Sequence, residues 1–220
     1  MNNTTVKKTG LEKLGGIAAI YGALVYIVAM IVFLVVLDYP NVTEPAQKVD
    51  MIVNNQNIII VLHWLSYIIF GLLLVILSLA LYEKIRVKNT PMMKIATVFG
   101  IIWATLLIAS GLISIRGIAA VVGVYNFDAA QAALLWQSIE VSSSALSFAD
   151  GEILGGLWMF LVGLSALKAS SFSKALNIVC IGVGIVGIIS IIPFLNLFSA
   201  LFGLGQIVWF IWLGITLVKG

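Results

Sequence analysis

The feature that most constrains this chain is the alternation of basic and acidic residues between long apolar runs. Ten of the 12 Lys and Arg residues fall in every second gap, and seven of the 9 acids fall in the other gaps. The ten are Lys7, Lys8, Lys13, Lys84, Arg86, Lys88, Lys94, Lys168, Lys174 and Lys219. Because short cytoplasmic loops of membrane proteins retain basic residues, the pattern predicts an all-α, polytopic membrane protein, a six-helix transmembrane bundle with cytoplasmic termini.

Composition supports a single transmembrane domain over residues 1–220. The chain is 62% hydrophobic and 10% charged, whereas soluble domains are about 45–50% apolar and about 25% charged. Its net charge of +3 comes from residues at the boundaries of the apolar runs, so the predicted surroundings are the lipid bilayer and nucleic acid is excluded as a partner. The first apolar run is longer than the roughly 7–15 residues of a signal-peptide core, so we expect a retained span.

Helix geometry gives approximate bounds for six spans. A rise of about 1.5 Å per residue requires about 20 apolar residues to cross a hydrocarbon core of about 30 Å. The predicted spans are residues 14–37, 58–82, 95–115, 148–167, 175–192 and 197–218. The fourth is unusual, because its uncharged part, residues 153–167, covers only about 22 Å. It must therefore begin near Phe148, which places Asp150 and Glu152 inside the apolar slab.

The longest gap on the acidic side contains a further predicted helix. Asp128 and Gln131 have the spacing of a capping box, in which the first side chain accepts hydrogen bonds from early backbone amides. Apolar residues then recur at helical spacing opposite polar residues that include Glu140. We expect an outer amphipathic helix over residues 128–146, lying on the leaflet or folded over the bundle. The alternative is one continuous helix over residues 128–167, kinked at Gly151.

The strongest candidate site combines Arg116 with Asp150 and Glu152. Charges within an apolar slab cost about 2.5–3.5 kcal/mol each on insertion scales unless they are paired or hydrated. One interpretation is an outward-open pocket for an anion or a cation, and the other is a structural ion pair between the third and fourth spans. Two acids against one Arg leave a negative charge that His63, a proton or a cation would balance. With Glu140, these residues form the predicted ligand or ion-pair cluster.

Other residue patterns narrow the class of function. Gln206 is the deepest polar side chain and must hydrogen-bond to a neighbouring helix or to water. Cys180 and His63 are the single Cys and His of the chain, so a disulfide framework, a haem held by two His, or a Cys/His metal site is not expected within one chain. There is no nucleophile elbow and no phosphate-binding loop. The sequence predicts no catalytic residue, metal or cofactor.

Three segments resemble a broad family of small prokaryotic membrane proteins of unknown function. They are residues 79–84 (LALYEK), residues 155–163 (GGLWMFLVG) leading into Lys168, and residues 209–215 (WFIWLGI). The resemblance implies six helices in a prokaryotic cell membrane. It implies no activity and no catalytic residues.

Three functions remain open from the sequence. The favoured hypothesis is a non-enzymatic membrane protein, a subunit or ligand-sensing bundle whose outer side meets a membrane-protein partner or a small polar ligand. The alternative is a small-solute or ion transporter that uses the Arg/Asp/Glu cluster, since intramembrane ionisable residues often mark transport sites. The second alternative is a membrane-embedded enzyme with carboxylates and His63 as acid and base.

Overall fold

A computed structural model describes residues 10–147, 152–192 and 195–219, and within these ranges the chain is helical and contains no strand. Its helices are α1 (Gly10–Ile31), α2 (Pro45–Asn54), α3 (Gln56–His63), α4 (Phe70–Tyr125), α5 (Ala129–Ser147), α6 (Ile153–Ala169), α7 (Lys174–Ile189) and α8 (Asn196–Lys219). Two π-helical segments, Val32–Val36 and Trp64–Ile69, follow α1 and α3, and a short 3-10 turn spans Tyr39–Asn41.

Helix α4 folds back on itself although Phe70–Tyr125 is helical throughout. An added Cβ at Gly71 would meet the side chain of Ile108, and one at Gly111 would meet Tyr67. These antiparallel approaches require the chain to reverse between Ile85 and Pro91. We therefore describe a first arm, Gln56–Ile85, which includes α3, and a second arm, Pro91–Tyr125.

Six apolar helical segments of the described chain alternate in direction: α1, the two arms, α6, α7 and α8. Helix α1 packs against α8 and the first arm, α6 packs against α4 and α7, and α7 packs against α8. Their alternation brings Lys13, Lys84, Lys94, Lys168, Lys174 and Lys219 to the same end of the bundle, which we call the basic end. There Lys84 forms an ion pair of 2.9 Å with buried Glu12.

The described segments differ in length. Four of them, residues 10–36, 56–85, 91–125 and 197–219, are long and apolar enough to cross a bilayer. Helices α6 and α7 have 17 and 16 residues and cover only about 24–26 Å. The predicted start of the fourth span at residue 148 lies outside the described residues.

Large aromatic side chains fill the centre of the bundle. The rings of Trp103 and Trp158 lie 5.8 Å apart, and Trp158 meets Trp209 edge-on at the same distance. Phe70 and Phe210 join this cluster, with ring centroids 5.8 Å apart. All five side chains are almost completely buried. Edge-to-face packing of this kind stabilises a rigid interior beyond the burial of its area.

Glycines allow α6 and α7 to approach within backbone contact. An added Cβ at Gly156 would lie 2.6 Å from the backbone nitrogen of Ile188, and one at Gly163 would lie 2.9 Å from that of Ile181. Small residues permit such packing in membranes, where helix association depends on close contact rather than on the hydrophobic effect.

A second apolar core caps the other end of the bundle, which we call the cap end. It joins Val49 and Ile52 of α2, Val121 of α4 and Trp136 of α5. Two features differ from the predicted spans. Helix α2 lies in the gap between the first two of them, and the third continues as a helix to Tyr125 instead of ending near residue 115. In both cases apolar side chains at helical spacing gain burial against α5.

Helix α5 begins and ends close to the predicted bounds. The Asp128 carboxylate accepts a hydrogen bond of 2.9 Å from the Gln131 backbone amide, so the predicted N-terminal cap is confirmed. The helix then runs antiparallel to the second arm, where an added Cβ at Gly117 would meet Ile139. Helix α5 ends at Ser147 and α6 begins at Ile153, after Glu152 with a non-helical φ of −90° and ψ of 50°.

Candidate functional site

Two adjoining cavities lie between the centre of the bundle and the cap end. The deep cavity has a volume of about 230 Å³ and the rim cavity about 180 Å³. The deep cavity is lined by the aromatic Tyr26, Phe33 and Tyr67, the polar His63, Ser66, Ser147 and Glu152, and the aliphatic Ala29, Leu62 and Leu107. Phe33, His63, Tyr67 and Ser147 line both cavities, so the two adjoin.

Both π-helical segments supply residues to these walls. Phe33 lies in the segment after α1, while Ser66 and Tyr67 lie in the segment after α3. A π turn widens the helix and redirects its side chains, and such turns are frequent at functional sites. The second segment is anchored from outside, because the Tyr21 hydroxyl donates a hydrogen bond of 3.0 Å to the Leu65 carbonyl.

The imidazole of His63 is held in one orientation. Its Nδ1 lies 2.8 Å from the Ile59 carbonyl oxygen, and a carbonyl accepts only, so this nitrogen carries the proton. The ring also stacks on Tyr67, with centroids 5.1 Å apart and an interplanar angle of 10°. No described residue is hydrogen-bonded to Nε2. Because Nδ1 carries the proton, Nε2 is the hydrogen-bond acceptor of His63 beside the cavities.

Glu152 contributes a carboxylate without a counter-charge. Its backbone amide donates a hydrogen bond of 2.9 Å to the Ser190 hydroxyl, which ties the start of α6 to the end of α7. Its Oε2 is buried and has no hydrogen-bond partner among the described residues. The charged form of a buried carboxyl group without a partner is costly, so Glu152 holds a proton or meets a partner that enters the deep cavity.

Glu140 has a different environment at the mouth of the rim cavity. Its carboxylate accepts hydrogen bonds from Lys48 at 3.1 Å and from the Tyr39 hydroxyl at 2.5 Å. The Lys48 ammonium also lies 4.7 Å from the centre of the Tyr39 ring. Burial, and then the hydrogen bond to Glu140, raises the pKa of Tyr39 above its ordinary value, so its hydroxyl remains a donor. These three side chains connect α5 to α2 and to the 3-10 turn that precedes α2.

The depth of the deep cavity follows from helix geometry. Leu107 lies 13 residues after Lys94 on the second arm, or about 20 Å along the helix. Glu152 precedes Lys168 on α6 by 16 residues, or about 24 Å. Measured from these lysines at the basic end, the two cavity residues lie about two-thirds to four-fifths of the way along the roughly 30 Å that a hydrocarbon core would occupy.

The structure brings together only part of the predicted cluster. His63 and Glu152 line the deep cavity, and His63 and Glu140 line the rim cavity. Arg116 is exposed and forms no ion pair with a described acid, and Asp150 lies outside the described residues. Gln206 is completely buried, lines neither cavity, and has no hydrogen bond within the described ranges for either of its amide atoms.

Sequence reasoning missed the aromatic walls. Tyr26 and Phe33 were hidden among apolar residues of the first span, although a spacing of seven places them on one helical face. Tyr67, one turn after His63, is equally typical of an interfacial aromatic belt. Ser147 ends a helix whose neighbours along the chain give no sign of a cavity. The missing signal is the contact between α1, the first arm and the α5–α6 junction, which only the tertiary structure provides.

The fold defines a multi-pass membrane protein, because the described chain is all-helical and four of its helices are long and apolar enough to cross a bilayer. The chain belongs to the family described as a domain of unknown function, DUF4386, whose model matches residues 14–220. This match is consistent with the resemblance to a family of unknown function. No curated protein and no solved structure matches the chain.

Proposed function

We propose that this protein is a non-enzymatic, ligand-binding bundle that admits a small polar ligand from the cap end into the deep cavity. The single observation that carries the proposal is the unpaired Glu152 carboxylate in a cavity within the apolar slab. Intramembrane ionisable groups are costly, and they usually face a partner, a cavity or a permeation path. A ligand that supplies the missing interaction would explain why the carboxylate lies there.

The surrounding structure supports entry from one end. The rim cavity extends from His63 and Tyr67 to Glu140, whose side chain is 31% exposed. In the opposite direction, the packed Trp103, Trp158 and Trp209 rings occupy the centre of the bundle. A third cavity of about 460 Å³, lined mainly by apolar residues of α1, the π-helical segment after it and α8, shares Tyr26, Ala29 and Phe33 with the deep cavity. The rim cavity is therefore the polar approach to the deep cavity, and the packed rings on the other side suit binding or sensing better than an open pore.

Cysteine accessibility tests the pocket without knowledge of its ligand. In a Cys180→Ala background, Ser147→Cys places one thiol where the two cavities meet. We expect this thiol to react with 2-hydroxyethyl methanethiosulfonate, a small neutral water-soluble reagent, when the full-length protein is in proteoliposomes. Polar cavities hold water and admit such reagents, whereas packed cores do not.

Ser165→Cys is the matched control, because Ser165 is completely buried and lines neither cavity. The two thiols should react at similar rates once the protein is denatured. If the native Ser147→Cys protein reacted as slowly as the native control, the cavity would be closed and the proposed function would be wrong.

Six crossings, cytoplasmic termini and a prokaryotic plasma membrane complete the proposal. The six described segments alternate in direction, and lysines flank them at one end. Basic residues of short loops favour the cytoplasmic side. A fluorescent-protein fusion at residue 220 should therefore be bright, and alkaline phosphatase inserted at residue 44 should be active. Active phosphatase at residue 220 would contradict this topology.

A transporter is the second candidate, and the interruption between α5 and α6 favours it. Transporters often bind substrates where discontinuous helices meet inside the membrane. Here α5 ends at Ser147, α6 begins at Ile153, and Glu152 between them is non-helical. Flux of a ligand into proteoliposomes that depends on Glu152 would support transport. Binding without flux would support the sensing bundle.

A further inference from the structure

Three acids of the described chain, Glu12, Glu140 and Glu152, differ in their partners. Glu12 pairs with Lys84 at 2.9 Å, and Glu140 pairs with Lys48 at 3.1 Å. Glu152 has no such partner among the described residues, although its Oε2 is buried. The described residues that line the deep cavity include no Lys or Arg. The positive charge that the other two acids receive from the protein is therefore absent at the third.

Aromatic rings line the deep cavity beside Glu152. Tyr26, Phe33 and Tyr67 line the same cavity as Glu152. Tyr26 is held edge-on against Phe70 at 5.5 Å, and Tyr67 is stacked on His63 at 5.1 Å. The faces of aromatic rings attract cations, and sets of rings are a recurrent means of binding ammonium groups. Carboxylate and rings therefore favour the same sign of ligand charge.

We propose that the deep cavity binds a small organic cation, an alkylammonium ion, whose charge pairs with Glu152 and whose alkyl groups contact Tyr26, Phe33 and Tyr67. This inference rests on the proposed function and specifies its ligand class. The volume of about 230 Å³ suits an ion with a few carbon atoms. Among the described residues no group of three His, Cys, Asp or Glu side chains could hold a metal ion. An anion would meet an acid with no Lys or Arg among the described lining residues.

Protection of the Ser147→Cys thiol measures this selectivity. The probe is choline, and its control is 3,3-dimethyl-1-butanol, which has nearly the same shape but a carbon in place of the charged nitrogen. We expect choline to slow the reaction with 2-hydroxyethyl methanethiosulfonate in a saturable manner and the neutral alcohol to have little effect. Tetramethylammonium should protect as choline does, because it presents the same charged group.

Two substitutions assign the protection to named side chains. Glu152→Gln removes the charge with little change in shape, and should weaken choline protection at least about tenfold, as expected when one partner of a buried charge pair is lost. Glu12→Gln makes the same change at the basic end and should leave the protection unchanged. Tyr26→Phe should retain it and Tyr26→Leu should weaken it by about threefold to thirtyfold, because only the leucine lacks a ring.

The outcomes separate the two proposals. Reaction of Ser147→Cys without protection by choline or tetramethylammonium would overturn the organic-cation inference while leaving a solvent-accessible pocket. Equal protection by the neutral alcohol would show that shape and not charge determines binding, and would also overturn it. Lack of reaction in the native protein would overturn the proposed pocket itself. If Glu152→Gln does not fold, the comparison of Tyr26→Phe with Tyr26→Leu tests the same inference.

Discussion

Lys48 and Glu140 form an ion pair of 3.1 Å at the mouth of the rim cavity. The pair joins α2 to α5 across 92 positions of sequence. Both side chains are partly exposed, at 21% and 31%, so the contact is hydrated and its contribution to stability is modest. The pair connects α2 to α5, and the last residue of α5, Ser147, lines both cavities together with His63 and Tyr67.

Loss of the Lys48 ammonium should destabilise the cap end slightly. We expect Lys48→Met to lower the free energy of unfolding by up to about 1 kcal/mol, because Glu140 keeps the hydrogen bond from Tyr39. For a chain of this length the melting temperature in detergent would fall by about 2–4 °C per kcal/mol. Lys174→Met is the control, since Lys174 is exposed. Equal melting temperatures for both variants would show that the pair contributes nothing.

The contribution of Tyr39 to the stability of the protein should decrease at alkaline pH. Because burial raises its folded-state pKa, the stabilisation is complete below the unfolded tyrosine pKa of about 10 and is lost as pH rises from there toward the folded value. The difference in melting temperature between the wild type and Tyr39→Phe should be constant from about pH 7 to 9 and shrink above about pH 10. A difference that stays constant through about pH 11 would contradict a Tyr39 contribution of this kind.

Substitution by Ala should change the stability in opposite directions at two glycines of α7 that lie two positions apart. A Cβ at Gly184 would lie 2.8 Å from the Gly156 carbonyl oxygen, and backbone cannot move aside as a flexible side chain can. We expect Gly184→Ala to cost about 1–3 kcal/mol by overpacking. At Gly182 nothing lies within 4 Å of an added Cβ, so Gly182→Ala should be neutral or stabilise by up to about 1 kcal/mol. Thermal melting of the two variants in one detergent provides the comparison.

Removal of the cap of α5 should destabilise that helix. Asp128→Ala deletes the acceptor for the Gln131 amide, and loss of an N-cap costs about 0.5–2 kcal/mol. Asp128→Asn should retain most of the stability, because an Asn side chain accepts the same hydrogen bond. Hydrogen exchange of the first-turn amides of α5 would report the change locally. Uniform protection in all three proteins would show that the cap is not needed.

The success of sequence-based prediction depended on the range of the interaction involved. The Asp128 cap and the bounds of α5 were predictable because the residues lie within one helical turn. The hydropathy of the helical segments was equally local. Helix α2 was not predicted, because its short apolar face gains burial only once α5 and the second arm lie against it. The two π-helical segments likewise have no clear signature in the local sequence.

The candidate site shows the same division at the level of single residues. Glu152 was predicted at membrane depth from the length of the fourth apolar run, and His63 was included as a possible balancing group. The aromatic side chains beside them were not identified as site residues. Arg116 lies on an exposed face of the second arm, although Ser114, Gly117 and Ile118 near it are buried. The rotation of this helix relative to its neighbours determines which face is exposed, and sequence spacing alone does not set that rotation.

The sequence by itself determined that this chain forms apolar helices with lysines at alternate ends, because hydrophobicity and charge are properties of each segment in water and lipid alone. Tertiary structure decided which faces of those helices meet, and with them the aromatic cavity around Glu152 and the capped end beyond it. The physical reason is that lipid solvates every apolar face almost equally well. Shape-matched contacts between distant segments therefore select the partners, and a linear pattern carries little information about shape.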